Sequence, residues 1–133
     1  MKVTGQCHCG AIAYEAEIDP GRVSACHCTD CQRLSGSAYR VTGGAPKETF
    51  RLLKGTPKIY VKMADSGNKR VQAFCGDCGS PIYSSAISDP PMYSLRVACL
   101  DQREQLPPMK QIWCRSSLDW AMNMEKVPKV ERQ

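Results

Sequence analysis

Seven of the nine cysteines in this chain fall into three tight groups: Cys7 with Cys9, Cys26 with Cys28 and Cys31, and Cys75 with Cys78. Sulfurs at CxC and CxxC spacing turn toward a single ion, and a soft divalent metal is their natural partner. Four thiolates close one tetrahedron. Three leave a second ion one ligand short, which is what a catalytic or substrate-binding zinc requires. The arithmetic therefore predicts two zinc ions per chain, one structural and one open.

The structural set is Cys7, Cys9, Cys75 and Cys78. Cys75-Gly76-Asp77-Cys78-Gly79 has the form of a zinc knuckle, with glycines that permit the tight turn, and Cys7/Cys9 is the pair left to complete it. In the other partition Cys7/Cys9 joins the Cys26 group and Cys75/Cys78 is a redox dithiol. A redox CxxC usually opens a helix, and Gly79-Ser80-Pro81 ahead of a strand is a poor helix start. Disulfides are a weaker reading still: the count is odd, CxC geometry is awkward for a bond, and 133 residues can bury a core without staples. Free thiols point to a reducing, cytoplasmic compartment, and no apolar segment after Met1 resembles a secretion signal or a membrane span.

Cys26, Cys28 and Cys31 make the candidate catalytic site. A divalent ion on three thiolates keeps one negative charge, so it is a modest Lewis acid that would still hold an incoming sulfur and lower its pKa. Cys99 or Cys114 is available to close that site and make it merely structural. Cys99, however, lies in phase with apolar strand residues, as a small core side chain would. His8 and His27 each sit between two proposed ligands, where a side chain points away from the metal and serves packing or support instead. Arg33 and Arg40 are candidates to anchor a carboxylate of a thiol ligand, and the amides around Ser35, Gly36 and Ser37 to receive another anionic group. The plain alternative for these arginines is solvent exposure.

The formal charge of +5 counts every cysteine as neutral. Seven metal-bound thiolates remove seven positive charges and two zinc ions restore four, which brings the chain to about +2. Lys and Arg are scattered and aromatics are few, so a nucleic-acid surface is weakly supported.

The elements that must hold these sulfurs read as mainly β in a single domain spanning 1–133. Between Gly10 and Asp19, Ile12, Tyr14, Ala16 and Ile18 alternate with more polar neighbours, and Asp19-Pro20-Gly21 turns the chain. Ile59, Val61 and Met63 share one face of a strand over Lys58–Met63. A turn at Gly67-Asn68 joins it to a second strand carrying Val71, Ala73 and Cys75. Further strands are expected over Pro81–Ala86 and Tyr93–Leu100. The one helical candidate is short, capped by Thr29 or Asp30 and stopped at Gly36. Asp101–Pro108 reads as a loop, over the site or along the surface, and the tail from Glu125 as loosely ordered.

Three stretches carry a family resemblance: Gln6-Cys7-His8-Cys9-Gly10, the run from Cys26 through Gln32-Arg33-Leu34-Ser35-Gly36-Ser37-Ala38-Tyr39, and Cys75 to Pro81. Together with Ile112-Trp113 and Leu118-Asp119-Trp120 they resemble the glutathione-dependent formaldehyde-activating enzyme family, which includes centromere protein V. The resemblance implies a β-tent fold like that of methionine sulfoxide reductase B, with a structural zinc on Cys7, Cys9, Cys75 and Cys78 and a second on Cys26, Cys28 and Cys31. It also implies condensation of glutathione with formaldehyde, a reaction classed with carbon-sulfur lyases. One position departs: Gln111 stands where the family often carries a histidine before the Ile-Trp pair. Two other classes stay in view, a glutathione-binding carrier without catalysis and a zinc-scaffolded interaction domain, the latter requiring two closed metal sites.

Overall fold

The computed structural model describes residues 1–133. Ten strands and one α-helix follow in order: β1 (Lys2–Gln6), β2 (Ala13–Glu17), β3 (Ser24–Cys26), α1 (Thr29–Ser35), β4 (Arg40–Pro46), β5 (Arg51–Lys54), β6 (Lys58–Met63), β7 (Lys69–Phe74), β8 (Pro81–Ala86), β9 (Met92–Arg96) and β10 (Lys110–Ile112). They form a three-stranded sheet, β1-β2-β5, and a seven-stranded sheet, β10-β3-β4-β9-β8-β7-β6. Every pairing is antiparallel except that of β10 with β3. This mainly β, two-sheet architecture is the expected fold class.

The core lies between the sheets. Ile12, Tyr14, Ala16 and Ile18, the alternating set read from the sequence, are all buried there against Ala45, Ile82 and Leu95. The regular strand is shorter than that set, because Cys7–Ile12 is occupied by a turn in which the Cys7 amide donates to the Ile12 carbonyl. Close approach of the layers explains a glycine in mid-strand: a Cβ on Gly43 of β4 would lie 2.8 Å from Cγ2 of Ile18.

Two expectations are corrected. The strand over Tyr93–Leu100 ends at Arg96, and Val97–Cys99 winds into a 3₁₀ turn that keeps Val97 and Leu100 buried three residues apart while Leu100 bridges to Gly5. The stripe of Ile59, Val61 and Met63 does form on β6, yet these side chains are 46%, 41% and 60% exposed. β6 is the edge of the large sheet, and burial ends at Val71 and Ala73 of β7, which β6 pairs with across the predicted hairpin.

Asp101–Pro108 packs along β1 rather than over the cysteine triple. Thr4 donates from its hydroxyl to Asp101 Oδ2 at 2.6 Å and from its amide to Gln102 Oε1 at 2.9 Å, and Leu106 is buried in the core. From Glu125 onward there is neither helix nor strand. No helix is long and apolar enough to cross a membrane.

Candidate functional site

Two knuckles of similar design bring four sulfurs together. β1 delivers Cys7, the Gly10 amide donates back to the Cys7 carbonyl at 3.1 Å, and Gly10 turns with φ of 79°. β7 delivers Cys75, the Gly79 amide donates to the Cys75 carbonyl at 2.8 Å, and Gly79 turns with φ of 80°. Such left-handed turns are open to glycine without a Cβ penalty. Cys7 Sγ lies 3.6 Å from Cys9 Sγ, and Cys9 Sγ lies 3.8 Å from Cys75 Sγ. Cys78 joins them within 4.8 Å. A Zn–S bond of about 2.3 Å implies sulfurs about 3.8 Å apart on the edge of a tetrahedron, so the spacing fits an ion of that kind. All nine cysteines are free thiols. His8 is exposed and stands outside the cluster, its amide donating to Ser80 Oγ.

The thiols of this cluster also oppose one another's ionisation. The Ser80 hydroxyl and amide, with the Cys9 amide, pull the Cys78 thiol down to about 5. Cys9 receives the Ala11 amide, which lowers it, yet its sulfur neighbours raise it to about 12. Burial raises Cys7, but the Ile12 amide and its thiol neighbours outweigh that and leave it lowered. Ionising one sulfur opposes ionising the next, and a divalent ion removes that opposition.

The second cluster is built where β3 meets α1. β3 ends on Cys26, and Cys28 caps α1 by accepting from the Cys31 amide at 3.3 Å. The cap is thus one residue before the expected Thr29, because a sulfur does the work of a hydroxyl. The three sulfurs lie within 4.8 Å of one another, with Cys26 and Cys31 buried. Burial raises Cys31 to about 12 although Arg40 pulls it the other way.

Neither spare cysteine joins this cluster. Cys99 donates to the Pro81 carbonyl at 3.3 Å, and Cys114 is exposed at the start of a 3₁₀ turn after Trp113. His27 is buried and is not a member of the sulfur cluster: Nε2 meets Gln111 Oε1 at 2.7 Å and the ring packs against Tyr39. Gln111 thus holds His27 through Nε2, and Nδ1 has no partner. Gln32 of α1 donates to the carbonyls of His27 and Ser116 and fastens the helix over the β3–β10 edge.

A cavity of about 360 Å³ is lined by Arg33, Leu34, Arg40, Tyr60, Gln72 and Arg96, with Gly79 and Pro81 at its other side, and it approaches the triple through Arg40, the register partner of Cys26. Sheet register explains the gathering. Cys26 pairs with Arg40, Thr42 with Arg96, Ser94 with Ser84 and Ser84 with Gln72, so these side chains share the face opposite the core. Lys62 of β6 meets Asp30 of α1 at 2.6 Å and links the helix to the far edge. A larger groove of about 590 Å³ continues along this face past Ser24, Thr42 and Ser94.

Arg33 and Arg40 therefore stand together, whereas Ser35, Gly36 and Ser37 do not line the cavity. Gly36 N donates to the Gln32 carbonyl and Ser37 N to Ser35 Oγ, so those two amides are committed. They also lie at the C-terminal end of α1, the pole that favours cations. Sequence reading missed Arg96 and Gln72. Arg96 sits in an apolar strand, and only tertiary placement reveals that it is buried.

The family model described as glutathione-dependent formaldehyde-activating enzyme matches residues 2–116. This chain belongs to that family. A relative from Colletotrichum graminicola, described provisionally as a glutathione-dependent formaldehyde-activating enzyme, is 24% identical over 98% of the chain and 70% of its own length. One from Penicillium rubens with the same description is 25% identical over 68% of the chain, which spans about half of that relative (47%). A crystal structure of a Rhodobacter sphaeroides protein is similar in fold, with a TM-score of 0.63 and 23% identity over 81% of this chain and 98% of the other. Membership relates the chain, at the level of the family, to glutathione and formaldehyde, and its two cysteine clusters are sites that can hold metal ions.

Proposed function

We propose that the chain is a zinc-dependent carbon-sulfur lyase-type enzyme that joins glutathione or a related small thiol to formaldehyde or another aldehyde. The observation that carries this reading is the cluster of Cys26, Cys28 and Cys31, three soft ligands without a fourth protein donor, joined through the Cys26–Arg40 register pair to an arginine-lined cavity. Cys7, Cys9, Cys75 and Cys78 would hold a structural zinc, and the triple would hold the second. A zinc ion held by Cys26, Cys28 and Cys31 would supply the Lewis acidity that lowers the pKa of an incoming thiol.

The chain's own groups do the rest. Arg33 and Arg40 attract the anionic end of the thiol and orient its sulfur. α1, pinned by Gln32 and by the Lys62–Asp30 pair, keeps Cys28 and Cys31 in place. In the reaction the thiolate sulfur bonds to the carbonyl carbon, the π pair moves to oxygen, and that oxygen takes up a proton. An interaction domain would need two closed clusters, and the second has three ligands.

Thiols and formaldehyde also combine unaided, so the deciding measurement is the initial rate with and without zinc-loaded protein at saturating glutathione. The proposal expects a rate above the spontaneous one, lost in Cys28→Ser. A rate that never exceeds the spontaneous one leaves a thiol carrier.

A further inference from the structure

Arg96 is 4% exposed, and no carboxylate reaches it. The three ion pairs of the fold, Lys47–Asp89, Arg51–Glu15 and Lys62–Asp30, lie elsewhere, and no Asp or Glu lines the cavity. Arg96 Nη2 and Arg40 Nη1 donate instead to one neutral acceptor, Gln72 Oε1, at 3.0 and 3.1 Å. Arg96 Nη1 reaches Ser84 Oγ at 3.4 Å and the Ser94 carbonyl at 3.2 Å. The Nε atoms of both arginines are buried without any partner. Two guanidiniums sharing one amide oxygen are a costly arrangement unless a negative charge joins them. A metal-loaded triple offsets one positive charge at most, against three guanidiniums around the cavity.

We infer that Arg40 and Arg96, bridged by Gln72 and with Arg33 at the rim, form a carboxylate pocket that selects acid-bearing over uncharged substrates at the neighbouring cysteine triple. The inference rests on the proposed thiol–aldehyde function and adds the substrate class. Arg96 is the new determinant. Its fork is rigidly held by Gln72, Ser84 and the Ser94 carbonyl, so it presents an oriented donor rather than a mobile surface charge. Phe74, Tyr60 and Leu34 in the lining restrict water around the pair. The carboxylate belongs to the thiol or to the carbonyl compound, and the chemistry recognised is the same.

Calorimetric titration of the zinc-loaded full chain decides both the pocket and the source. One arm compares glutathione with its diethyl ester, the other glyoxylate with ethyl glyoxylate. The expected result is an acid-over-ester preference of about tenfold or more in at least one arm, the size a desolvated charge-assisted pair supplies. That preference should fall below about threefold in Arg40→Gln and Arg96→Gln. Arg40 is half-buried, so Arg40→Gln keeps the test decisive where Arg96→Gln fails to fold. No preference in either arm overturns the inference, as does a preference that survives Arg40→Gln in the way metal chelation would. Equal binding of glutathione and its ester sinks the pocket on the thiol side while leaving the thiol site standing. If neither form binds, the thiol reading fails, and the glyoxylate arm still tests the arginines.

Discussion

Cys28 does two jobs, as a candidate metal ligand and as the cap of α1. Serine is itself a good cap, so Cys28→Ser should keep the helix while weakening zinc binding at the triple by about 100-fold or more. Metal analysis after dialysis, together with a circular dichroism melt, separates the two effects: one ion per chain in a folded protein is expected. Tyr14 presents the opposite case, a polar atom with no job. Its hydroxyl is buried without a partner, so Tyr14→Phe should be neutral or stabilising by about 1 kcal/mol at pH 7 in urea unfolding. Burial holds its pKa above the ordinary value of 10. Above pH 10 the unfolded chain releases this proton and the folded one retains it, so stability falls as pH rises from there. Tyr14→Phe should flatten that decline by up to about 1.4 kcal/mol per pH unit.

At the scale of elements, β4 illustrates how tertiary context overrides local signals. Glycine weakens a strand in isolation, yet β4, with Gly43-Gly44 at its centre, is an interior strand that supplies Arg40 to the site. Its backbone must pass close to Ile18, so Gly43→Ala should cost about 1–3 kcal/mol by overpacking, measured by the shift in denaturation midpoint. β6 errs the other way. The alternation of Ile59, Val61 and Met63 marks a strand and a face, but cannot say whether another layer reaches that face.

For the molecule as a whole, the first cluster joins β1 to the turn between β7 and β8, some seventy residues along the chain and in a different sheet. A bound ion there crosslinks both layers of the fold. Removal of metal by a strong chelator should therefore lower the melting temperature by far more than loss of the second ion alone, because the free energy of a structural zinc, about 10 kcal/mol or more, is folding free energy. Differential scanning calorimetry of wild type, chelated protein and Cys28→Ser gives the comparison. A chelated protein that melts with the Cys28→Ser variant would refute the assignment of the structural role.

The cysteine groups and their gathering into two clusters were legible in the chain because CxC and CxxC spacing is local, and Ile12 to Ile18 and the β6–β7 hairpin because alternation has a local period. The capping of α1 by Cys28 was off by one residue, since a thiolate cap has no ordinary sequence signal. Tertiary structure alone decided that Gln111 meets His27, that Cys99 and Cys114 stay away from the triple, and that Arg96 and Gln72 face Arg40. Those facts depend on strand order and register between segments tens of residues apart, and no local pattern in the sequence encodes which edges will meet.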